Sequence, residues 1–388
     1  MRPLRIGLVI DRLDPSRGGA EAYLVGLARF LVDRGHAVHH LVVETGPGVS
    51  VGEVHRIDLP TRWRTFRDLA FDRASARLAA DLGLDVTLGV RHTPSTRVFQ
   101  PHGGVYSCAA RAQSRSAGSR RGVHALARML NPKHRVLLHL ETRQRRRRHQ
   151  VTFVALSERV RSDMTEAYRL SGLAPPALIY NGVDAGRFHP EAAGTDRATI
   201  RERHGIDPGG FCVLFVGHNF RLKGLGHLIP AVAGLDDRTV SVLVVGRGRD
   251  GPYRKLADSC GLTATRLRFA GATETPERYY RAADVLAHPT YYDPCSSVCL
   301  EALASGLPVI TTRMNGVNEL IGLEGGGRVI ERPGDVDALR ATIQEIREDD
   351  SYRERLAGEA RRLAEAHPEH RAFAAMEAVL LEAAERRR

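Results

Sequence analysis

Short apolar runs recur along this chain, and most are followed by a polar or glycine-rich loop and then by apolar positions at helical spacing. Residues 5–10 form the first run. The loop 11–17 and Gly18-Gly19-Ala20-Glu21 follow it. Apolar residues at 24, 27, 28 and 31 then predict a helix over about 20–34, which Gly35 ends before a second strand at 37–43. The alternation continues with a helix at 66–82, strands at 86–90 and 97–101, and a strand at 151–156. Ser157 is placed to cap a helix over Glu158–Tyr168. After a strand at 177–180 the pattern starts again. Its strands fall at 212–216, 241–245, 267–270, 285–288, 308–312 and 328–330, with helices between them and a helical tail over 351–388 broken at Pro368. Continuous apolar strands alternating with helices predict parallel sheets built from βαβ units. At 388 residues the chain is long for one core. The expectation is an N-terminal domain over 1–175 with 372–388 packing back on it, and a C-terminal domain over 176–371.

One βαβ unit concentrates the chemistry. The strand Val285–His288 ends at Pro289, a polar loop follows, and Ser297–Ala304 reads as a helix closed by Ser305-Gly306. The next strand is 308–312. Ligands bind at the carboxyl ends of such strands, and backbone N–H groups at a helix start suit a phosphate. The loop carries Asp293 and the helix carries Glu301, eight positions on. Alone, Asp293 reads equally as a turn residue before Pro294 and Glu301 as a solvated helix position.

Other strand ends carry candidates. Gly18 and Gly19 stand where the first helix begins, which lets a ligand approach the backbone, although a plain tight turn uses the same residues. His102 follows the strand at 97–101 and precedes Gly103-Gly104, a position that faces a ligand crevice. Arg221 and Lys223 lie between the strand 212–216 and the helix that starts near Leu225, where cations suit a diphosphate. Gly246-Arg247-Gly248-Arg249-Asp250-Gly251 spells G-x-G-x-x-G, and an NAD-dependent oxidoreductase is one alternative it raises. The dinucleotide fingerprint also wants an acid about 20 residues on. The first acid after the next strand is Glu274, 28 positions past Gly246. Asp335-Val336-Asp337 spells D-x-D before an apolar-periodic helix, which points to N-capping.

Together these motifs resemble the retaining glycosyltransferases of family four, which have the GT-B fold. The family's Glu-x7-Glu is similar to Asp293-x7-Glu301, with Asp for the first Glu. Gly306-x-Pro308-Val309 and Gly316-x-x-Glu319 match the strand and turn that follow it. Gly18-Gly19-x-Glu21, the Asn181-Gly182-Val183-Asp184 crossing and Lys223-Gly224 complete the resemblance, while Arg221 stands one position from the family's usual Arg. Within the family, the turn at 99–102, the basic insert and the Asn219-Phe220-x-x-Lys223-Gly224 loop look most like lipopolysaccharide-core glucosyltransferases. The resemblance implies an α/β protein of two Rossmann-like doubly wound domains facing across a cleft, with the C-terminal helix crossing back to the first. It implies retaining, metal-independent transfer of a hexose from a nucleotide-diphosphate sugar, a UDP-sugar foremost, to a glycan or glycolipid acceptor such as a lipopolysaccharide core. Lys223, Arg221 and the helix start at Ser296 and Ser297 would neutralise the diphosphate. Glu301 would take the ribose hydroxyls, Asp293 and His102 the sugar, and Gly271, Ala272 and Thr273 the base. Gly18 and Gly19 would let donor and acceptor approach. No cofactor beyond the co-substrate and no metal ligand set is implied.

Charge adds a further feature. The formal net charge is +12, and eleven arginines and Lys133 between 111 and 148 face Glu141 as the only acid there. Val123, Leu126, Ala127 and Leu130 make one apolar stripe on a basic helix that Asn131-Pro132 breaks. Such a stretch reads as a contact for an anionic membrane surface or as a solvated helix face. A non-enzymatic RNA- or membrane-binding protein is the remaining alternative. Nucleic acid is disfavoured, because no Phe, Tyr or Trp occurs between Ala109 and Gln150 to stack on bases. The five cysteines are odd in number and scattered, which fits neither a disulfide framework nor a zinc site and suits a reducing compartment. No apolar run approaches the roughly 20 residues of a membrane span, and the first apolar run lacks a cleavage site. The expected location is cytoplasmic, peripheral on the inner face of the membrane if the basic segment binds lipid.

Overall fold

The structure, a computed structural model, describes residues 2–47, 49–59, 65–118, 121–190 and 195–386. Arg120, Arg387 and Arg388, part of the basic cluster and of the predicted tail, lie outside the described residues. The chain divides into two compact units. The first holds residues 1–114, 118–180 and 370–388, and the second residues 115–117 and 181–369.

In the first unit the strands are β1 (Arg5–Val9), β2 (Arg12–Leu13), β3 (Ala37–Val42), β4 (Glu44–Thr45), β5 (Glu53–Arg56), β6 (Val86–Gly89), β7 (Val98–Phe99), β8 (Thr152–Ala155) and β9 (Ala177–Leu178). Seven of them form one sheet in the order β5-β3-β1-β6-β7-β8-β9, all parallel. β9 pairs with β8, so the change of unit falls after Tyr180 rather than after residue 175. The first helix, Gly19–Asp33, buries Leu24, Leu27, Ala28 and Leu31 completely. These are the four apolar positions whose spacing predicts it. The last helix, Glu369–Glu385, packs Phe373, Met376 and Leu380 into the same core as Ile6, Leu8 and Leu24. His36 Nε2 lies 3.0 Å from Glu377 Oε1 and pins that helix with a polar contact.

The second unit contains β10 (Phe211–Val216), β11 (Val240–Val245), β12 (Leu267–Gly271), β13 (Val285–His288), β14 (Val309–Thr312) and β15 (Gly327–Ile330). They form a parallel sheet in the order β12-β11-β10-β13-β14-β15. Val213, Phe215, Val242, Val244 and Ala287 lead its core, and Leu225, Leu228 and Val232 cover them from the helix Leu225–Ala233. Two parallel-sheet, Rossmann-like α/β units are therefore present, as the apolar pattern predicts. Asp335 caps the helix Val336–Glu348, its carboxylate accepting from the Ala338 N–H at 3.1 Å, which assigns the D-x-D to capping.

The basic segment is three helices, Tyr106–Arg115, Arg121–Leu130 and Pro132–Arg146. Asn131 ends one and caps the next, its side chain accepting from the Lys133 N–H. Proline at the first turn needs no N–H partner there.

Candidate functional site

In the second unit the chain runs outward from β10 to β11 and β12, then returns to β13 and runs the other way to β14 and β15. The switch lies between β10 and β13, and the loops after these two strands flank the crevice where open α/β sheets bind ligands. The first loop carries Lys223 and the second Asp293. Their side chains meet, with Lys223 Nζ 2.5 Å from Asp293 Oδ2. His288, at the end of β13 and fully buried, places Nε2 3.3 Å from the same oxygen. Burial pushes the Asp293 carboxyl up, but the charge of Lys223 and the hydrogen bond from His288 outweigh it and hold the group well below the usual carboxylate range. Burial lowers His288.

The two loops are stapled together. Thr290 Oγ1 donates to the Leu222 carbonyl at 3.2 Å and the Tyr291 N–H to the same carbonyl at 2.8 Å. Gly224 has φ +86°, and a Cβ there would lie 2.1 Å from the Pro289 carbonyl oxygen. Only glycine fits this approach. Asp293 is held from the far side as well, its N–H donating to the Met314 carbonyl and its carbonyl accepting from the Gly316 N–H.

The helix Ser297–Ala304 starts beside this pair, with Ser296 as its N-cap and no side-chain cap. Asn315 organises the junction. Its Oδ1 accepts from the N–H groups of Ser296 and Val317, and its Nδ2 donates to Thr311 Oγ1. Asn181 donates to the Cys295 carbonyl at 2.8 Å. Cys295 and Cys299 are buried, and burial raises both thiols, that of Cys299 to about 12, so neither is poised as a nucleophile. Glu301, one turn into the helix, accepts from the Tyr280 hydroxyl at 2.7 Å. Burial pushes its carboxyl up to about 7.

Arg221 is exposed in the same loop as Lys223, and its charge also reaches Tyr253, whose hydroxyl it holds down against burial. Gly271 and Ala272 are exposed at the end of β12 and Thr273 is half-buried. The Gly271 carbonyl accepts from the Gly246 N–H at 2.7 Å. Two glycines of G-x-G-x-x-G serve packing, while the third, Gly251, faces open space. A Cβ on Gly246 would meet the Gly217 carbonyl oxygen, and one on Gly248 the Phe220 ring.

The first unit has its own switch, between β1 and β6. A cavity of about 550 Å³ opens there, and Gly18, Gly19 and His102 all line it. The His102 ring lies 4.4 Å from that of Tyr23, and its Nε2 is 3.1 Å from Gln100 Oε1. Burial, helped by the charge of Arg91, pushes the imidazole down to about 3, so His102 is neutral at ordinary pH. Three residues of this wall, Arg91, Tyr106 and Gln144, were not picked out from the sequence. Arg91 donates to Glu21 Oε1 at 2.5 Å and to Asp11 Oδ1 at 3.3 Å. The Tyr106 hydroxyl lies 2.6 Å from His134 Nδ1. Gln144 is 2% exposed, and neither amide atom has a protein partner. Arg91 stands two positions past the end of β6, and a cation at a strand's carboxyl end is itself a signal. Gln144 sits among arginines on a helix and gives none.

Two doubly wound parallel-sheet units, each with its polar loops at a switch point, define a GT-B protein. Residues 196–363 match the family profile "Glycosyl transferases group 1", and residues 17–187 match "Glycosyltransferase Family 4". The chain belongs to the family-four glycosyltransferases of GT-B fold, which sets aside the oxidoreductase reading. It is 30% identical over 183 residues to the lipopolysaccharide glucosyltransferase WaaG of Escherichia coli K12, covering 46% of this chain and 47% of that protein. It is 37% identical over 155 residues to the D-inositol 3-phosphate glycosyltransferase of Corynebacterium glutamicum, covering 36% of each. The chain thus spans at most about half the length of the curated relatives it matches. The crystal structure of WaaG, a glycosyltransferase involved in lipopolysaccharide biosynthesis, superposes with a TM-score of 0.81 over 97% of this chain and 99% of that one. At 20% identity that likeness is one of fold.

Proposed function

We propose that this chain moves a hexose from a nucleotide-diphosphate sugar to a glycan or glycolipid acceptor, with retention at the anomeric carbon. The observation that carries this reading is the Lys223–Asp293 pair at the β10/β13 switch point, beside the start of the helix that bears Glu301. The departing diphosphate needs positive charge. Lys223, Arg221 and the backbone N–H groups near Ser296 and Ser297 supply it in this reading, with no step that requires a metal. Asp293 keeps the Lys223 ammonium in place until the diphosphate arrives, and with its neighbouring backbone holds the donor sugar. Glu301 accepts from the ribose hydroxyls once ionised. Gly271, Ala272 and Thr273 border the base. His102, as a neutral imidazole, offers the sugar a hydrogen bond rather than a charge, and the glycine edge at Gly18 and Gly19 admits substrate to the first-unit cavity.

The bond from the anomeric carbon to the phosphate oxygen breaks while the bond to the acceptor oxygen forms on the same face. The acceptor's hydroxyl proton passes to the leaving phosphate oxygen. UDP-glucose is the first donor to try, because the similar E. coli protein is named a glucosyltransferase. A lipopolysaccharide core and an inositol phosphate are the two acceptors that the relatives' names point to. The test is transfer from UDP-glucose, with the anomeric configuration of the product read by NMR. An α-linked product supports the reading, and a β-linked product overturns retention.

The same proposal places the chain on the cytoplasmic, anionic face of a membrane. Val123, Leu126, Met129 and Leu130 are 61–74% exposed on the helix Arg121–Leu130, within the arginine-rich segment. Exposed apolar residues flanked by cations suit an anionic lipid surface. Among the described residues no helix is long and apolar enough to cross a membrane.

A further inference from the structure

We propose that His39, Glu53 and His55 form a binding site for one divalent transition-metal ion of the zinc class, at the edge of the first-unit sheet. The site is separate from the donor and acceptor chemistry above. β5 is the edge strand, and its parallel register with β3 sets His39 opposite Glu53 and Leu41 opposite His55. Glu53 and His55 are two apart on one strand and therefore share a face, which they share with His39 across the pairing. His40 turns to the other face, where its Nε2 meets the Val51 carbonyl.

The donor atoms converge. His39 Nδ1 is 2.9 Å from His55 Nε2. Glu53 Oε2 is 3.4 Å from His39 Nδ1, and Glu53 Oε1 is 3.5 Å from His55 Nε2. Bonds of about 2.0–2.1 Å to a tetrahedral ion put its ligand atoms roughly 3.3 Å apart. The two nitrogens are a little inside that spacing, and each Glu53 oxygen stands close to it from one of them. Without a cation the triangle is poorly satisfied. Two imidazole nitrogens that close share one proton, which leaves the carboxylate beside them to solvent. A cation gives all three lone pairs a partner. Two imidazoles and one carboxylate favour zinc, copper or nickel over magnesium or calcium. The Glu53 side chain is 66% exposed and that of His55 15%, so the ion has a route in and a solvent-facing position for water. Bound there, it would clip the edge strand to β3, where a sheet is otherwise open to fraying and mispairing.

The experiment uses the untagged full chain, stripped of metal, in equilibrium dialysis against Zn²⁺, with Co²⁺ absorption spectra and melting curves as second readouts. His55→Ala and Glu53→Gln are compared with His149→Ala, an exposed histidine outside the cluster. The expected result is one equivalent of Zn²⁺ per chain, at least about tenfold weaker in both cluster variants, with four-coordinate cobalt bands and a rise in melting temperature that both variants lose. His149→Ala should behave as wild type. Should His55→Ala fail to fold, the exposed Glu53→Gln decides. Binding well below one equivalent, or one equivalent held with unchanged affinity in Glu53→Gln, would overturn the site.

Discussion

Lys223 Nζ sits 2.5 Å from Asp293 Oδ2, across seventy positions of sequence and from the loops that follow the two strands flanking the second unit's switch point. The contact is largely buried on both sides, with 20% and 12% of the side chains exposed. Lys223→Ala therefore leaves a buried carboxylate without its main partner. The expected loss of stability is on the order of 3 kcal/mol, measured by urea denaturation. Asp293→Asn leaves the Lys223 ammonium unpaired instead, but that side chain is the more exposed of the two and its flexible stem lets the charge reach water, so the loss should be smaller.

The same pair sets a pH dependence. The folded-state pKa of Asp293 is depressed, so its stabilising contribution is present above the unfolded value of about 4 and lost as pH falls through the folded value. Wild type and Asp293→Asn should differ in unfolding free energy by a constant amount from pH 5 to 7. That difference should shrink below about pH 4. A constant difference down to pH 2 would contradict the assignment.

Glu301 shows the opposite sign. Its folded-state pKa is raised to about 7, so ionisation costs stability as pH rises from the unfolded value to the folded one. Glu301→Gln should leave stability at pH 4 nearly unchanged and raise it by about 1–3 kcal/mol at pH 8. Donor binding should move the other way. If the ionised carboxylate takes the ribose, wild-type affinity falls as pH drops below 7. Tyr280→Phe, which removes a hydrogen bond that lowers this pKa, should shift the fall upward in pH. Calorimetric titration at pH 6, 7 and 8 checks both.

His102 is neutral throughout the physiological range. His102→Gln should reduce kcat/KM by about a hundredfold, the scale of one lost transition-state hydrogen bond. The shape of the pH–rate profile between pH 5 and 7 should not change. A profile that loses its acidic limb in the variant would show that His102 titrates during turnover.

The helix Arg121–Leu130 presents Leu126 and Met129 to solvent. Leu126→Asp with Met129→Asp should abolish co-sedimentation with vesicles rich in anionic lipid and leave turnover of a water-soluble acceptor intact. Wild-type binding should weaken as salt is raised, because the arginines contribute through screened charge.

What the sequence made legible is what depends on neighbours along the chain. The strand Val285–His288 and the helix Ser297–Ala304 have the bounds their apolar runs and flanking turns predict. The helix Gly19–Asp33 buries the four residues its periodicity marks. The caps at Ser157 and Asp335 follow from the same local logic. The partnerships were hidden. Nothing near Glu301 points to Tyr280, and nothing near Arg91 to Glu21, because parallel crossovers bring them together. Arg221 was legible as a loop cation, but its influence on Tyr253, 32 positions on, was not. The His39–Glu53–His55 triangle depends on the β3–β5 register, and a slip of one residue would put Glu53 and His55 on the other face.

The central claim is that the second unit binds a nucleotide-diphosphate sugar through Lys223 and Glu301. The most direct measurement is thermal stabilisation of the chain by UDP-, GDP- and ADP-sugars, each compared with the ligand-free protein, in wild type, Lys223→Ala and Glu301→Ala. At a hundredfold over its dissociation constant the true donor adds about 2.7 kcal/mol. The account predicts this stabilisation for one nucleotide, UDP first, and its loss in both variants. An equal ligand-induced shift in all three proteins, or none with any nucleotide sugar in the wild type, would contradict it.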